Sequence, residues 1–162
     1  MKNQSQHLKR MMSLNGINTK SSPYTGECLC GSIQYEIDEI ESRMGHCHCT
    51  MCRKFHGAAF ATLGEAKVEN FRWTKGEALL AHYKASNGTV RGFCKECGSS
   101  MTFAPSDDAN EFIEFALGTL NSEMNLRPDA HIYVRSKASW FEVCDGLPQH
   151  EQGRYSEDRA VE

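Results

Sequence analysis

The chain has 162 residues and a net charge of -3, with 18 Lys+Arg against 21 Asp+Glu, which suits one ordinary globular domain. Charged residues make up 24% of the sequence, a typical share that argues against wholesale disorder. The basic residues are scattered and give no electrostatic footprint for nucleic acid or an anionic membrane, so we expect neither as a partner.

The first 22 residues are polar and lack the periodicity of a helix or a strand, which predicts a disordered leader. They contain no apolar run of the roughly 7 to 15 residues that a signal peptide needs. The rest of the chain contains no run near the ~20 apolar residues that span a bilayer. We therefore expect a cytoplasmic protein, in a compartment where thiols stay reduced.

From Tyr24 onward, short apolar or alternating runs recur at intervals of about ten residues, which predicts an all-β domain with hairpins. The runs are SIQYEID, AAFATL, VENFRW, LLAHYK, TVRGF, MTFA, FIEFALG, HIYV and WFEV. Asn87-Gly88 marks the sharpest turn, because a tight hairpin needs positive φ there. We expect short helices only, at residues 49–56 and 106–111. One domain should cover residues 23–148, followed by a flexible tail at 149–162.

Seven of the eight cysteines fall in three tight groups. These are Cys28-x-Cys30, Cys47-x-Cys49-x-x-Cys52 and Cys94-x-x-Cys97. Clustered thiols in a reducing compartment favour metal binding, with a disulfide within each pair as the alternative. A redox C-x-x-C would need a βαβ neighbourhood, which this sequence does not provide. Two pairs make one closed site, so we predict a structural zinc on the four-cysteine group, which consists of Cys28, Cys30, Cys94 and Cys97.

The three-cysteine group, Cys47, Cys49 and Cys52, offers one ligand fewer. Three protein ligands leave a fourth position for water or substrate, which is typical of catalytic zinc. His46 or His56 could instead close the site, whereas His48 points to the opposite face if the run is extended. An open three-thiolate centre suits thiol chemistry, because a coordinated thiol loses its proton. We therefore predict a second, catalytic zinc here, and a small thiol or thioether as substrate.

Four longer motifs carry a resemblance to a known family. They are GECLCGSIQYEI, GHCHCTMCRKFHGAAF, GFCKECGSSMTF and GTLNSEMNLRPDAHIYVRSKASWFEVCDGLP. In the order and spacing of all seven clustered cysteines, they resemble the glutathione-dependent formaldehyde-activating enzyme family, which shares its domain with centromere protein V. The likeness runs from about Tyr24 to Pro148. It implies an all-β, tent-like fold of several coiled antiparallel sheets built around a structural zinc, with a second zinc on the three-cysteine group.

The family name implies an activity, the condensation of formaldehyde with glutathione to S-(hydroxymethyl)glutathione, formally a carbon–sulfur lyase reaction in reverse. We expect zinc at the three-cysteine group to hold the glutathione sulfur or to position the aldehyde oxygen. Arg53 and Lys54, which directly follow this group, could bind the glutathione carboxylates. His56 could transfer protons near neutral pH. An exposed turn is the alternative interpretation of Arg53 and Lys54, and a hydrogen-bonded turn histidine is the alternative for His56.

Other residues receive structural interpretations. We expect Trp140 and Phe141 to be core aromatics of a strand, with a place in the pocket as the alternative for Trp140. His131 should make a structural hydrogen bond. The lone Cys144 should be a small buried apolar residue.

Two non-catalytic functions are alternatives to the enzyme. The first is a zinc-stabilised module that binds protein or chromatin, as the domain shared with centromere protein V allows. A basic flank would favour it, but Lys2, Lys9, Arg10 and Lys20 are too dilute for a strong set of phosphate contacts. The second is zinc buffering by the three-cysteine group. An exposed sheet edge would allow a homodimer in either case.

Overall fold

The computed structural model describes residues 22–105 and 111–154. The strands are β1 (Tyr24–Glu27), β2 (Gln34–Ile37), β3 (Gly45–Cys47), β4 (Ala61–Lys67), β5 (Phe71–Lys75), β6 (Leu80–Lys84), β7 (Val90–Cys94), β8 (Ser100–Ala104), β9 (Phe112–Ala116), β10 (Ala130–Ile132) and β11 (Gln149–His150). Within these residues the only α-helix is α1 (Thr50–His56), and four short 3-10 turns accompany it. The all-β prediction with short helices is confirmed. No helix in the two described ranges is long and apolar enough to cross a membrane.

The strands form two sheets. β1, β2 and β5 make a three-stranded antiparallel sheet. The other eight make a larger sheet in the order β11-β10-β3-β4-β9-β8-β7-β6. Its pairings are antiparallel except at β10, which runs parallel to both β3 and β11. This parallel pairing at one end is a feature that the family resemblance did not predict.

The main core joins the two sheets around Tyr35 of β2. The Tyr35 ring stacks on Phe71 at 5.1 Å and lies 6.0 Å from Phe115 of the larger sheet. Its hydroxyl bonds to Thr119 Oγ1 at 2.8 Å, and burial raises the pKa of Tyr35 to about 12. Gly26 on β1 allows the close approach, since a Cβ there would lie 2.1 Å from Tyr35 Cζ. This packing fixes the β1–β2 hairpin against the larger sheet.

The turn and the first helix lie where the sequence predicts them. Gly88 has φ 85° in the turn between β6 and β7, and the Ala85 N–H donates to the Thr89 carbonyl at 2.9 Å. The helix predicted at residues 49–56 is confirmed as α1. The helix predicted at residues 106–111 lies, apart from its last residue, outside the described residues.

Two predictions for the C-terminal part are wrong. The WFEV run forms no strand, because the Phe141 N–H closes a turn onto the Ala138 carbonyl, and Trp140, predicted to be a core aromatic, is 72% exposed. Both edges of the nearby β10 are already paired, with β3 and β11, so that strand has no edge left for this segment. Cys144 is exposed rather than buried.

The first residues assigned to the flexible tail continue the larger sheet. Gln149–His150 forms β11 beside β10. Arg154 donates to the Met44 carbonyl and to the Asp129 carboxylate. Hydrogen-bonded structure therefore extends to Arg154, whereas the leader through residue 21 and the chain from residue 155 lie outside the described residues.

Candidate functional site

The four-cysteine group forms where two hairpin loops meet. Cys28 and Cys30 lie in the loop between β1 and β2, Cys94 ends β7, and Cys97 lies in the loop before β8. Cys30 Sγ lies 3.5 Å from Cys28 Sγ and 3.9 Å from Cys94 Sγ, and all four sulfurs lie within 4.8 Å of one another. Tetrahedral Zn–S bonds of ~2.3 Å separate sulfurs by about 3.8 Å. The group could therefore hold a zinc ion.

Two glycines shape these loops in the same way. Gly31 has φ 69° and Gly98 has φ 76°, and each directly follows the second cysteine of its pair. Their N–H groups donate to the carbonyls of Cys28 and Cys94, at 2.9 and 2.8 Å. A side chain at positive φ costs roughly 1–2 kcal/mol, so glycine suits both positions.

Polar groups lower the pKa of two of the four thiols, Cys30 and Cys97, whereas burial raises that of Cys94 to about 11. The Ile33 N–H donates to Cys28 Sγ at 3.2 Å. The Ser99 hydroxyl and backbone N–H lower the pKa of Cys97 to about 6. Because metal ligands must be deprotonated, this environment prepares the group for a cation.

The three-cysteine group forms where β3 passes into α1. Cys47 ends β3, Cys49 is the N-cap of α1, and Cys52 lies in its first turn. The Cys52 N–H donates to Cys49 Sγ at 3.3 Å, and the three sulfurs lie within 4.8 Å of one another. Hydrogen bonds from the Cys47 and Cys52 thiols, followed by the backbone N–H groups of Cys52 and Met51, lower the pKa of Cys49. Sulfur donors with a stabilised thiolate fit a zinc ion here as well.

Among the described residues, no histidine belongs to this set of sulfurs. His46 and His56 each bond to a hydroxyl elsewhere, at 2.9 and 3.2 Å. His48 is fully buried, and its Nε2 lies 2.7 Å from His131 Nδ1. The arrangement is that of a three-ligand site, which leaves a position for a further ligand.

A chain of hydrogen bonds braces the peptide between Cys47 and Cys49. His131 bonds to His48 through Nδ1 and to Asp145 Oδ2 through Nε2 at 2.9 Å, which confirms its structural hydrogen bond. The His48 N–H donates to the Ile132 carbonyl of β10 at 2.9 Å. The bond to His131 holds the pKa of the Asp145 carboxyl below its ordinary value. The sequence analysis did not predict this role for His48 or Asp145.

A cavity of about 380 Å³ opens at the three-cysteine group. Its volume is in the range of small-molecule sites, roughly 300–1,000 Å³. Besides the three cysteines, its charged lining residues are Arg43, Glu65, Arg91, Glu114 and Arg154. Three guanidinium groups against two carboxyl groups favour an anionic ligand.

Arg91 is the most enclosed of these cations, with an exposed fraction of 3%. Its guanidinium lies 5.2 Å from the ring centre of Phe103 and 5.8 Å from that of Phe55. Its Nη1 donates to Thr89 Oγ1 at 2.8 Å, and the guanidinium opposes the rise that the Cys49 thiol and burial cause in the pKa of Cys52. A guanidinium held between two rings and beside the thiols is well placed for a substrate carboxylate.

The residues predicted for substrate binding lie elsewhere. Arg53, Lys54 and His56 are not among the residues that line the cavity, and neither is Trp140. Lys54 is exposed, and His56 Nε2 lies 3.2 Å from Ser100 Oγ. The structure thus brings the three cysteines to the cavity without these neighbours in sequence, and their part in binding stays a prediction.

Of the residues in the cavity wall, only the three cysteines were predicted from the sequence to be functional, so the charged residues there, Glu65 and Glu114 included, were missed. Arg91 gave the clearest signal, as a charged residue inside the short apolar run TVRGF. Arg43 and Arg154 lie in segments without a motif. Tyr133 is the one non-glycine residue with positive φ, 58°, in the part of the chain that the structure describes, and such strain often marks functional sites.

The chain is similar to a known family, to a curated relative and to a solved structure. The family model described as glutathione-dependent formaldehyde-activating enzyme matches residues 23–136. An uncharacterized lyase of Schizosaccharomyces pombe is 25% identical over 122 residues, which cover 75% of this chain and 86% of the relative. The crystal structure of a Rhodobacter sphaeroides protein is similar in fold, with a TM-score of 0.50 and 22% identity over 62% of this chain and 91% of that one.

Proposed function

Because the chain belongs to the glutathione-dependent formaldehyde-activating enzyme family, we propose that it joins a small thiol to a small aldehyde at the three-cysteine group. The family match confirms the resemblance carried by the motifs. The family and the lyase-named relative support a lyase. Glutathione and formaldehyde, the pair in the family name, are the substrates that we propose.

One observation carries this proposal: three free thiols lie in the wall of a small-molecule cavity that also contains three guanidinium groups. Glutathione combines a thiol with two carboxylates, which arginine binds through paired hydrogen bonds. A carboxylate on Arg91 would therefore hold the substrate close to the cysteines. Holding two reactants together in this way lowers the entropic part of the barrier.

We further propose that the three-cysteine group holds a catalytic zinc and the four-cysteine group a structural zinc. When bound, the catalytic zinc would supply a Lewis acid with an open position for a sulfur or oxygen ligand. The chain supplies the rest of the site. The N–H groups of Met51 and Cys52 stabilise negative charge at Cys49, and Arg91 places positive charge beside Cys52.

The proposed reaction conserves every atom of its two substrates. The thiol loses its proton, and the sulfur electron pair forms a bond to the carbonyl carbon. The π pair of the carbonyl moves to oxygen, which takes up one proton to give the S-hydroxymethyl product. One proton therefore leaves sulfur for each proton that oxygen gains.

Exchange NMR with ¹³C-formaldehyde and glutathione tests this function. We expect the zinc-loaded protein to raise the rate of S-(hydroxymethyl)glutathione formation above the spontaneous rate. Cys52→Ala should remove this increase, whereas Cys144→Ala, at an exposed cysteine outside both groups, should retain it. Equal rates for the wild type and Cys52→Ala would exclude the three-cysteine group from the chemistry and would favour a non-catalytic zinc module.

A further inference from the structure

Two glutamates face each other across strands β4 and β9. Glu65 lies directly opposite Glu114 in the antiparallel register, and both line the cavity that contains the three-cysteine group. Side chains in this arrangement have Cβ atoms about 4.5–5.5 Å apart, and like charges there repel each other. The Glu65 side chain is 13% exposed and lies 3.8 Å from an Arg43 nitrogen.

Such a pair does not hold two negative charges readily in a partly buried wall. Burial, followed by the charge of Glu65, raises the pKa of Glu114 to about 7. Burial also raises the pKa of Glu65, where Arg43 opposes the shift. Glu114 is therefore the carboxyl group that holds and releases a proton near neutral pH.

The surroundings of the pair come from several elements. On β8 the residue opposite Glu114 is the apolar Phe103. The charged and titratable groups that act on the pair or share the cavity are Glu41, Arg43, Arg91, Tyr133, Arg154 and the three cysteines. The cations would hold anionic parts of a substrate, and the two glutamates are the carboxyl groups of the cavity wall.

The proposed reaction needs a group that accepts a proton from sulfur and donates one to oxygen. A general acid–base works best when its pKa lies near the working pH. His46, His48 and His56 are absent from the cavity wall. Glu114 is present there, in the wall of the same cavity as the three cysteines, with a carboxyl group that can exchange a proton.

We propose that Glu114, with Glu65 beside it, is the general acid–base of this cavity and carries the proton from the thiol to the aldehyde oxygen. This inference rests on the proposed function. The S–H bond breaks and its proton passes to the Glu114 carboxylate. As the carbon–sulfur bond forms, the carboxylic acid returns that proton to the oxygen that receives the carbonyl π pair. Glu114 ends in its starting state, and no oxidant or reductant is consumed.

The test compares Glu114→Gln and Glu65→Gln with the matched control Glu77→Gln, which alters an exposed glutamate outside the cavity. Adduct formation is followed by exchange NMR from pH 5 to pH 9. We expect Glu114→Gln to lower kcat about 100-fold with little change in KM. In the wild type, the bend in the pH profile, a change in the slope of log kcat against pH, should lie near pH 7. In Glu65→Gln the bend should move to lower pH, because the neighbouring negative charge is gone.

Infrared titration provides a second readout that does not depend on turnover. A carboxylic acid band should disappear near pH 7 in the wild type and be missing in Glu114→Gln. If Glu114→Gln fails to fold, the proposal is still tested by the carboxylic acid band of the wild type and by the pH profile of Glu65→Gln, because neither measurement uses that variant.

The outcomes separate the two proposals. An active wild type with an unchanged kcat in Glu114→Gln would overturn the acid–base role alone. A higher KM at unchanged kcat in Glu114→Gln would also overturn the acid–base role, and would indicate that the two glutamates bind the ammonium group of the substrate. An inactive wild type would overturn the proposed function itself. Absence of the carboxylic acid band at pH 6 would overturn the acid–base role whatever the activity.

Discussion

Cys49 and Cys97 show how single residues prepare the two cysteine groups. Each has a pKa below the ordinary thiol value, Cys49 chiefly because of the Cys47 thiol and Cys97 because of Ser99. The spacing of the cysteines predicts both groups, because ligand geometry is largely local. It could not predict which thiol ionises most easily, because that depends on turns and on hydroxyl groups such as Ser99.

Arg91 is the residue at which we expect the largest effect on ligand affinity. Arg91→Met removes the guanidinium but keeps an apolar chain between Phe55 and Phe103. Loss of a charge-assisted hydrogen bond should weaken glutathione binding about tenfold, or about 1.4 kcal/mol. Isothermal titration calorimetry measures this. Arg72→Met, which alters an exposed arginine paired with acidic side chains, is the control, and equal affinities for both variants would contradict a role of Arg91 in binding.

The charged residues of the cavity wall could not be identified from their neighbours in sequence. Arg53 and Lys54 directly follow Cys52 in the chain, but helix α1 does not bring them to the cavity wall. Arg91 reaches it from β7, because the pairing of β4 with β9, which are distant in sequence, joins the β6–β9 strands to the half of the sheet that contains β3. Long-range pairing of this kind is not encoded in a local motif.

The stability of helix α1 depends on the residues at its two ends. Cys49 caps the first turn, and Gly57 ends the helix with φ 60° and no atom within 4 Å of a Cβ placed there. Gly57→Ala should therefore destabilise the protein by about 1 kcal/mol through backbone strain alone. Gly118→Ala is the matched control, because Gly118 also has open space but no positive φ. Denaturation curves that shift equally for both variants would contradict this explanation.

The β4–β9 pair should make stability depend on pH. The ordinary pKa of Glu114 is 4.5, and in the folded protein it is about 7. Between these values the folded state binds more protons than the unfolded state, so the free energy of unfolding falls as pH rises. The full effect is about 3 kcal/mol at most.

Chemical denaturation from pH 5 to pH 8 measures this dependence. The zinc ligands titrate in both the wild type and Glu114→Gln, so the difference between the two isolates the carboxyl group. Glu114→Gln should gain stability relative to the wild type as pH rises, whereas Glu77→Gln should not. Parallel curves for the wild type and Glu114→Gln would show that Glu114 has an ordinary pKa.

At the scale of the whole molecule, the four-cysteine group ties the β1–β2 hairpin to the larger sheet. The all-β architecture was predictable because alternating runs and turn residues recur along the chain. The strand predicted at the WFEV run is wrong, since an apolar run becomes a strand only where a sheet edge is available. The HIYV run does contain β10, but its parallel pairing with β3 was hidden for a related reason, because the two strands are about 85 residues apart in sequence.

The two cysteine groups should differ in what they do for stability. Cys94→Ser should lower Tm strongly or abolish cooperative unfolding, because it opens the site that joins the two sheets. Cys52→Ser should leave a cooperative transition and about one zinc per chain. Both cysteines are buried, so the comparison is matched. Calorimetry with metal analysis measures it, and equal losses of Tm would mean that the groups do not divide into structural and catalytic sites.

The central claim is that the three-cysteine group is an open site for a thiol. Zinc K-edge X-ray absorption on the zinc-loaded protein with the selenol analogue of glutathione tests it most directly, because selenium scatters differently from the cysteine sulfurs. We expect a zinc–selenium shell in the wild type that is absent in Cys52→Ala and present in Cys144→Ala. A wild-type spectrum that the selenol leaves unchanged would contradict it.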